Sequence, residues 1–293
     1  MTREITRRNI QIVLGLLWLL DGVLQLQRQM FTSNFANQVI VPNAQSQPLI
    51  VRGPIHFAVH IILLHPAFFD ACFALIQLSL GVLILYKRTA KYGLLGSIVW
   101  GLGVWYFGEG LGGLLTGNAS LLMGAPGAAL LYAVIALGVL PSKTEKKEDA
   151  KPAPWLAIAW VIIWLGGATL QLMQGQNRTT DLASMIGNMA SGAPAWLGSL
   201  DHTVSQHLAL SGNWIIAVLV IVEALIGILI LLPHHLRSVA VIFGTFLALY
   251  FWVLGQGLGM YYSGLATDPN TAPLIILLGI AVLGSRRIPL NVF

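Results

Sequence analysis

Apolar residues are gathered along the chain into runs at about 9 to 27, 67 to 86, 92 to 115, 123 to 140, 154 to 173, 213 to 233, 238 to 262 and 272 to 284. Most are long enough to cross a hydrocarbon core of about 30 Å, and only the last is short. The pattern therefore predicts an all-α, polytopic integral membrane protein of eight transmembrane helices. The first run follows MTREITRRNIQ with no small-residue cleavage site behind it, so it reads as a retained helix rather than a signal peptide. Two long polar connections, 28 to 66 and 174 to 212, separate the first and second and the fifth and sixth runs. The other connections are short, as packed antiparallel helices require. Within the first long connection, PIHFAVHIILL (54 to 64) is apolar but too short to span. It predicts a re-entrant or interfacial helix over the mouth of the bundle, with Pro54 in its first turn and Pro66 as its stop. A short helix of the same kind is expected in the second long connection.

Composition agrees with the pattern. Of 293 residues, 56% are hydrophobic and only 9% charged, against roughly 25% charged in soluble domains; mean hydropathy is +0.78. The single cysteine, Cys72, rules out an intrachain disulfide, a thiolate zinc cluster and a paired-cysteine haem attachment. Any metal would need His, carboxylate or Met ligands.

The net charge of +5 first suggests nucleic acid, but the basic residues sort by side. With the N-terminus cytoplasmic, Arg3, Arg7, Arg8, Lys87, Arg88, Lys91, Lys143, Lys146, Lys147, Lys151, Arg237, Arg286 and Arg287 lie inside, and only Arg28, Arg52 and Arg178 lie outside. That bias predicts a multi-pass protein of a prokaryotic plasma membrane with both termini in the cytoplasm. The charge is thereby explained without nucleic acid.

The segment SKTEKKEDAKPAP, 142 to 154, is a charged cytoplasmic linker between two similar halves, 1 to 141 and 155 to 293. At an offset of 146, Trp18 meets Trp164, Gln25 meets Gln171, His56 meets His202 and Gly81 meets Gly227. At an offset of 147, Trp105, Gly108, Gly110, Leu111, Gly112 and Gly117 meet Trp252, Gly255, Gly257, Leu258, Gly259 and Gly264. Four helices per copy keep both copies in one orientation, so this is a parallel duplication, unlike the inverted repeats of many transporters.

The repeat opens with LGLLWLLDGVLQL and continues with FALIQLSLGVLILYKRTAKYGLLGSI; the second copy has VEALIGILILLPHHLRSVAVI, with Glu223 where the first has Gln77. These segments resemble the DoxX and DoxD group of small four-helix membrane proteins, here in tandem. The resemblance implies a membrane partner in redox metabolism: the DoxD member is associated with thiosulfate oxidation coupled to quinone reduction, and relatives accompany other periplasmic redox systems.

The two copies differ in their polar residues. Asp21, Asp70 and Glu109 face Gly167, Ile216 and Gln256, while Arg28 and Arg52 face Gln174 and Gly198. An ionisable group at membrane depth costs about 2.5 to 3.5 kcal/mol on insertion scales, and so marks a partner or a wet cavity. The outer face of the first bundle is the expected site, with Glu109 and Asp21 as its proton-handling carboxylates. Asp70, Arg28, Arg52, His56 and His60 are the candidate substrate- or quinone-binding residues. His56 and His60, four apart on a helix, can offer imidazole nitrogens to a metal or to a quinone carbonyl, or be satisfied by water. Gly108, Gly110 and Gly113 match G-x-G-x-x-G but lack the strand that a nucleotide site needs; in an apolar helix, Gly108 and Gly112 predict close helix approach instead.

Three functions follow. One is a quinone-linked oxidoreductase subunit passing electrons from an extracytoplasmic donor, for example thiosulfate, to membrane quinone, with Arg28 and Arg52 attracting the anion. In that reading the cofactor is quinone, with haem and metal left open. The second is a non-catalytic membrane anchor or scaffold for a larger extracytoplasmic or respiratory complex, bound through the two long loops. The third is a carrier of a small solute or metal ion. The expected partners are the lipid bilayer and a protein on the extracytoplasmic face, with no nucleotide.

Overall fold

The computed structural model describes residues 5–141, 151–173 and 175–285. Most of the charged linker, and with it Arg3, Lys143, Lys146, Lys147, Arg286 and Arg287 of the inside–outside count, lie outside the described residues, as does Gln174, the counterpart of Arg28. Among the described residues the secondary structure is helical, with no strand.

Helix α1 (Arg7–Gln25) starts at a capping box, in which Thr6 Oγ1 accepts from the Asn9 amide at 3.3 Å and Asn9 Oδ1 accepts from the Thr6 amide at 3.0 Å. Its buried side chains Ile10, Leu14, Trp18, Asp21 and Gln25 recur every three or four residues, and so form one stripe. The stripe packs along α3 (Pro66–Leu85), which runs antiparallel to it. Contact is close at Gly22, where a Cβ would stand 2.6 Å from Leu78 Cγ. Hydrogen bonds pin the pair at both ends: Arg8 donates to the Ile84 carbonyl at 2.9 Å and also to Leu85, while Gln25 donates to Asp70. Arg8 thus satisfies carbonyls left open where α3 ends.

Helix α2 (Leu49–Leu64) is the predicted short helix of the first long connection, but it begins five residues earlier than expected, so Pro54 lies inside it. A proline there cannot bond the carbonyl four residues back. That carbonyl, Ile50, accepts instead from Tyr106 Oη at 2.7 Å, which is how the helix tolerates its proline. Before α2, residues Phe35–Ile40 form a π-turn and Val41–Ala44 a 3₁₀ turn.

Helix α4 (Ala90–Phe107) corrects the prediction of one helix over 92 to 115. It stops at Phe107, and the glycine-rich stretch beyond it folds as a tight turn, Gly110–Gly113, with Leu111 and Gly112 at φ 57° and 61°. The glycines are therefore not a helix–helix packing face. Gly112 is needed because any side chain there would run into the Pro126 carbonyl. After the loop 114–127, α5 (Ala128–Gly138) returns against α4 and is shorter than predicted.

The second half repeats this order. Helix α6 (Leu156–Leu170) packs along α9 (Trp214–Leu229), and α10 (His234–Leu254) along α11 (Thr271–Gly284); the hairpin of α7 (Thr179–Met189) and α8 (Ala195–Ala209) fills its long connection. Helix α10 likewise stops short of its predicted end at 262, and Leu258 and Gly259 repeat the left-handed turn at φ 54° and 73°. Trp105 Nε1 donates to the Pro126 carbonyl at 2.7 Å, and Trp252 Nε1 to the Pro269 carbonyl at 2.8 Å. One apolar core joins the halves, running from Trp18 and Tyr132 through Leu121, Leu122 and Leu274 to Trp160 and Trp164.

All eight predicted apolar segments contain a helix. Among the described residues two helices, Pro66–Leu85 and His235–Leu254, are long and apolar enough to cross a membrane; Ala195–Ala209 with Trp214–Leu229, bent by 111°, make a third if they act as one broken span.

Candidate functional site

The broken end of α4 opens a cavity of about 340 Å³ inside the first bundle. Its walls come from all five helices of that half. Helix α1 contributes Trp18, Asp21 and Gln25, α2 contributes Ala58 and Ile62, and α3 contributes Phe73 and Gln77. Trp100, Val104 and Phe107 of α4, Tyr132 of α5 and the turn at Phe35 to Asn43 complete the apolar wall. Thr267 and Asp268, from the loop before α11 in the second half, close it.

Asp21, only 1% exposed, sits against the Tyr132 phenol without a regular hydrogen bond, and its Oδ1 has no partner. Such a group costs several times a made hydrogen bond when buried. Gln77 Oε1 and the Trp100 indole N–H, also on the wall, are likewise unpartnered. Trp18 is held by donation to Ser97 Oγ at 2.8 Å.

Glu109 lies in the break after α4. Its Oε1 accepts from the Ala129 amide in the first turn of α5 at 3.0 Å, a placement that the helix dipole favours for a carboxylate. Its Oε2 is unpartnered, and a side chain on Gly127 (φ 106°) would collide with it. The break is held from the long connection: Asn43 Nδ2 donates to the Gly108 carbonyl at 2.9 Å and Gln47 Nε2 to the Gly110 carbonyl at 2.6 Å.

Asp268 is presented by its own loop. Thr267 Oγ1 and the Asn270 amide each donate to it at 2.7 Å, and Gln27 of the first half holds the loop through the Ala266 carbonyl at 2.9 Å. Burial raises the Asp268 carboxyl above its ordinary value, partly offset by those two hydrogen bonds.

A second, more polar cavity of about 330 Å³ adjoins the first, lined by Gly112, Thr116, Asn118, Ser120 and Asn270 among others. Asn43, Glu109 and Asp268 line both cavities. They form the neck between a polar vestibule and an apolar chamber, with Asp21 on the chamber side only.

The structure brings Asp21 and Glu109 to this chamber and places Asp70 one hydrogen bond away, behind Gln25. Arg28, Arg52, His56, His60 and His65 are all exposed. On α2 the wall residues are Ala58 and Ile62, so His56 and His60 lie on the other side of that helix. Among the described residues no group of three or more His, Cys, Asp or Glu side chains is placed to hold a metal ion.

Sequence reasoning missed Asp268, Trp100 and Tyr132. The signal for Asp268 was present: Pro126 and Pro269 match at an offset of 143, because the loop before the last helix is four residues shorter in the second half. That register sets Asp268 against Ala125.

The second bundle arranges the equivalent residues differently. Gln256 replaces Glu109 and keeps its backbone contact, accepting from the Ala272 amide at 3.1 Å, while its Nε2 donates to the Leu121 carbonyl at 3.2 Å. Leu121 fills the space beside Gly167, the counterpart of Asp21, so closely that no side chain fits there. Glu223 is buried nearby with Oε2 unpartnered.

Comparison with known proteins finds no matching family model, no matching curated protein and no matching solved structure.

Proposed function

We propose that the chain is a multi-pass membrane protein of a redox system, and that its first half binds a membrane quinone in the chamber between α1, α3, α4 and α5. The observation that carries this reading is the pairing of an apolar, aromatic chamber, holding an unpartnered indole N–H and unpartnered carboxyl oxygens, with a polar vestibule reached past Glu109 and Asp268. Pockets for small ligands have that character, mostly apolar with a few polar groups that fix orientation. Lipid contact is supported by the bundle's exterior: Leu16 and Val23 on α1, Leu75 and Val82 on α3, Val99 on α4, at 74% exposure, and Phe243 and Phe246 on α10 all point outward. The vestibule end is the extracytoplasmic face, as the distribution of basic residues implies. The tandem DoxX-like architecture is part of the same proposal.

Bound there, a quinone would take two electrons from an extracytoplasmic donor such as thiosulfate, each pair of those ions joining through a sulfur–sulfur bond, and two protons to become the quinol. The residues' work is separate. Trp100 donates its N–H to a ring oxygen, the aromatic wall orients the ring, and Asp21 exchanges protons at that ring with Glu109 and Asp268 at the neck. Those two pass them to and from the vestibule.

Solvent extraction of the purified protein tests the proposal. The expected result is about one quinone per wild-type chain and a several-fold lower content in Trp100→Phe and Asp21→Asn. Wild-type protein that neither retains quinone nor takes up an added short-chain analogue would overturn it.

A further inference from the structure

We infer that the same chamber also takes a monovalent organic cation with an aromatic or apolar body, held by Asp21, Glu109 and Asp268 in exchange for protons. This goes beyond the quinone reading and does not depend on it.

Three segments deliver the carboxylates: α1, the break after α4, and a loop lent by the second half. None of the residues lining either the chamber or the vestibule is Lys, Arg or His. Carboxylates collected at such depth are ordinarily paired with a counter-charge or kept neutral by a proton; the described lining residues supply no counter-charge. The remaining polar inventory of the wall is mixed: the Trp100 indole N–H and the Tyr132 hydroxyl are unpartnered donors, beside unpartnered acceptors. Asp21 Oδ1, whose nearest donor is the Tyr132 phenol, and Gln77 Oε1 are acceptors without a regular hydrogen bond in almost fully buried side chains that line the chamber. The aromatic side chains of Trp18, Phe35, Phe73, Trp100, Phe107 and Tyr132 stand around them. Aromatic faces attract cations most strongly where water is excluded, so the charge and the body of one ligand are matched by the two kinds of wall.

The second bundle is an internal control. It has Gly167 and Gln256 where the first has Asp21 and Glu109, Ala125 stands opposite Asp268, and the space is filled by Leu121. The second bundle keeps buried carboxyls of its own, Glu223 and Asp201, but at other positions; what it lacks is the set at the places of Asp21, Glu109 and Asp268 and the open space beside it.

Exchange follows from charge balance. A fixed cation entering the chamber favours the ionised carboxylates and displaces the protons they carry to the vestibule. The titratable groups facing one another are Asp21, Glu109, Asp268 and Tyr132, with Tyr261 close by.

The test uses full-length protein in lipid nanodiscs with two probes of one shape: benzyltrimethylammonium and its neutral isostere, neopentylbenzene. Titration in weak buffer with a pH-sensitive dye and calorimetry is expected to show saturable binding of the cation, protons released on binding, and a Kd that falls by up to tenfold per pH unit on going from acid to neutral. The isostere releases no protons. Asp21→Asn and Asp268→Asn weaken the cation tenfold or more, whereas Gln171→Ala in the second half leaves it unchanged. Glu109→Gln installs the side chain that Gln256 already carries in the same backbone setting, so it keeps the test decisive if an Asp variant does not fold. Equal binding of the two probes, cation binding without proton release, or unchanged cation affinity in Glu109→Gln would overturn the inference. Quinone content measured on the same samples separates this failure from failure of the quinone proposal.

Discussion

Leu121 of the first half lies where a side chain on Gly167 of the second half would have to go. Gly167 is the counterpart of Asp21, so one half keeps an open acidic chamber and the other is closed by a leucine that the first half lends it. The halves exchange loops unequally: Leu121 enters the second bundle, and Asp268 enters the first.

That exchange predicts a compensating pair. Gly167→Ala should destabilise the protein by about 1–3 kcal/mol through overpacking. Leu121→Ala should cost about 2–5 kcal/mol through the cavity it leaves. In the double variant the alanine at 167 no longer meets the leucine, so its own cost should largely vanish. Thermal unfolding of the four proteins in one detergent gives the cycle, and strictly additive costs would contradict the packing.

The two left-handed turns separate strain from collision. Gly112→Ala meets both a φ of 61° and the Pro126 carbonyl, whereas at Gly259, φ 73°, the nearest backbone atom to a Cβ would be Pro269 C at 3.2 Å. Gly259→Ala should therefore cost about 1–2 kcal/mol from the left-handed penalty, plus a small adjustment of the Pro269 and Tyr261 contacts at 3.2 Å. Gly112→Ala should cost clearly more, or prevent folding. Comparable melting temperatures for the two variants would refute the difference.

These turns also mark the limit of what the sequence makes legible. Hydrophobic runs locate the eight helices α1, α3 to α6 and α9 to α11 because burial demands long apolar segments, but not α7 and α8, which also add side chains to the core. The runs do not reveal that α4 and α10 stop at Phe107 and Leu254, since the residues beyond remain apolar and the break depends on glycines adopting positive φ against a distant turn. Asp21 and Glu109 were legible because charge inside an apolar run stands out, and because the second copy lacks it. Asp268 was legible only as a difference from Ala125 in the Pro126–Pro269 register; in a polar loop a carboxylate is ordinary, and only the fold carries it into the other half. His56 and His60 do share a face of α2, but periodicity cannot say which face meets the bundle.

Tyr106 and Pro54 form another testable couple. Tyr106→Phe removes the donor to the Ile50 carbonyl, and should cost about 1 kcal/mol and speed hydrogen exchange at the start of α2. Pro54→Ala restores an amide that can bond the same carbonyl, so in that background Tyr106→Phe should be close to neutral. An undiminished effect would show that the tyrosine acts elsewhere.

Asp268 predicts a pH dependence of definite sign. Its carboxyl is raised by burial in the folded protein, so the unfolded chain loses its proton first, at about pH 3.9. The contribution to stability is fully present below that value and is lost as pH rises through the folded value. Asp268→Asn should therefore flatten the decline in melting temperature on going from about pH 4 towards neutrality. A decline of equal slope in the variant would remove Asp268 as its source.

The most direct test of the account is photolabelling of the membrane-embedded protein with an azido-quinone, followed by mass spectrometric mapping of the adducts. The account predicts adducts on the chamber segments of the first half, around Gln77, Trp100 and Tyr132, that an excess of unmodified quinone suppresses and Asp21→Asn diminishes. Labelling spread equally over the corresponding segments of α9, α10 and α11, or insensitive to competition, would contradict it.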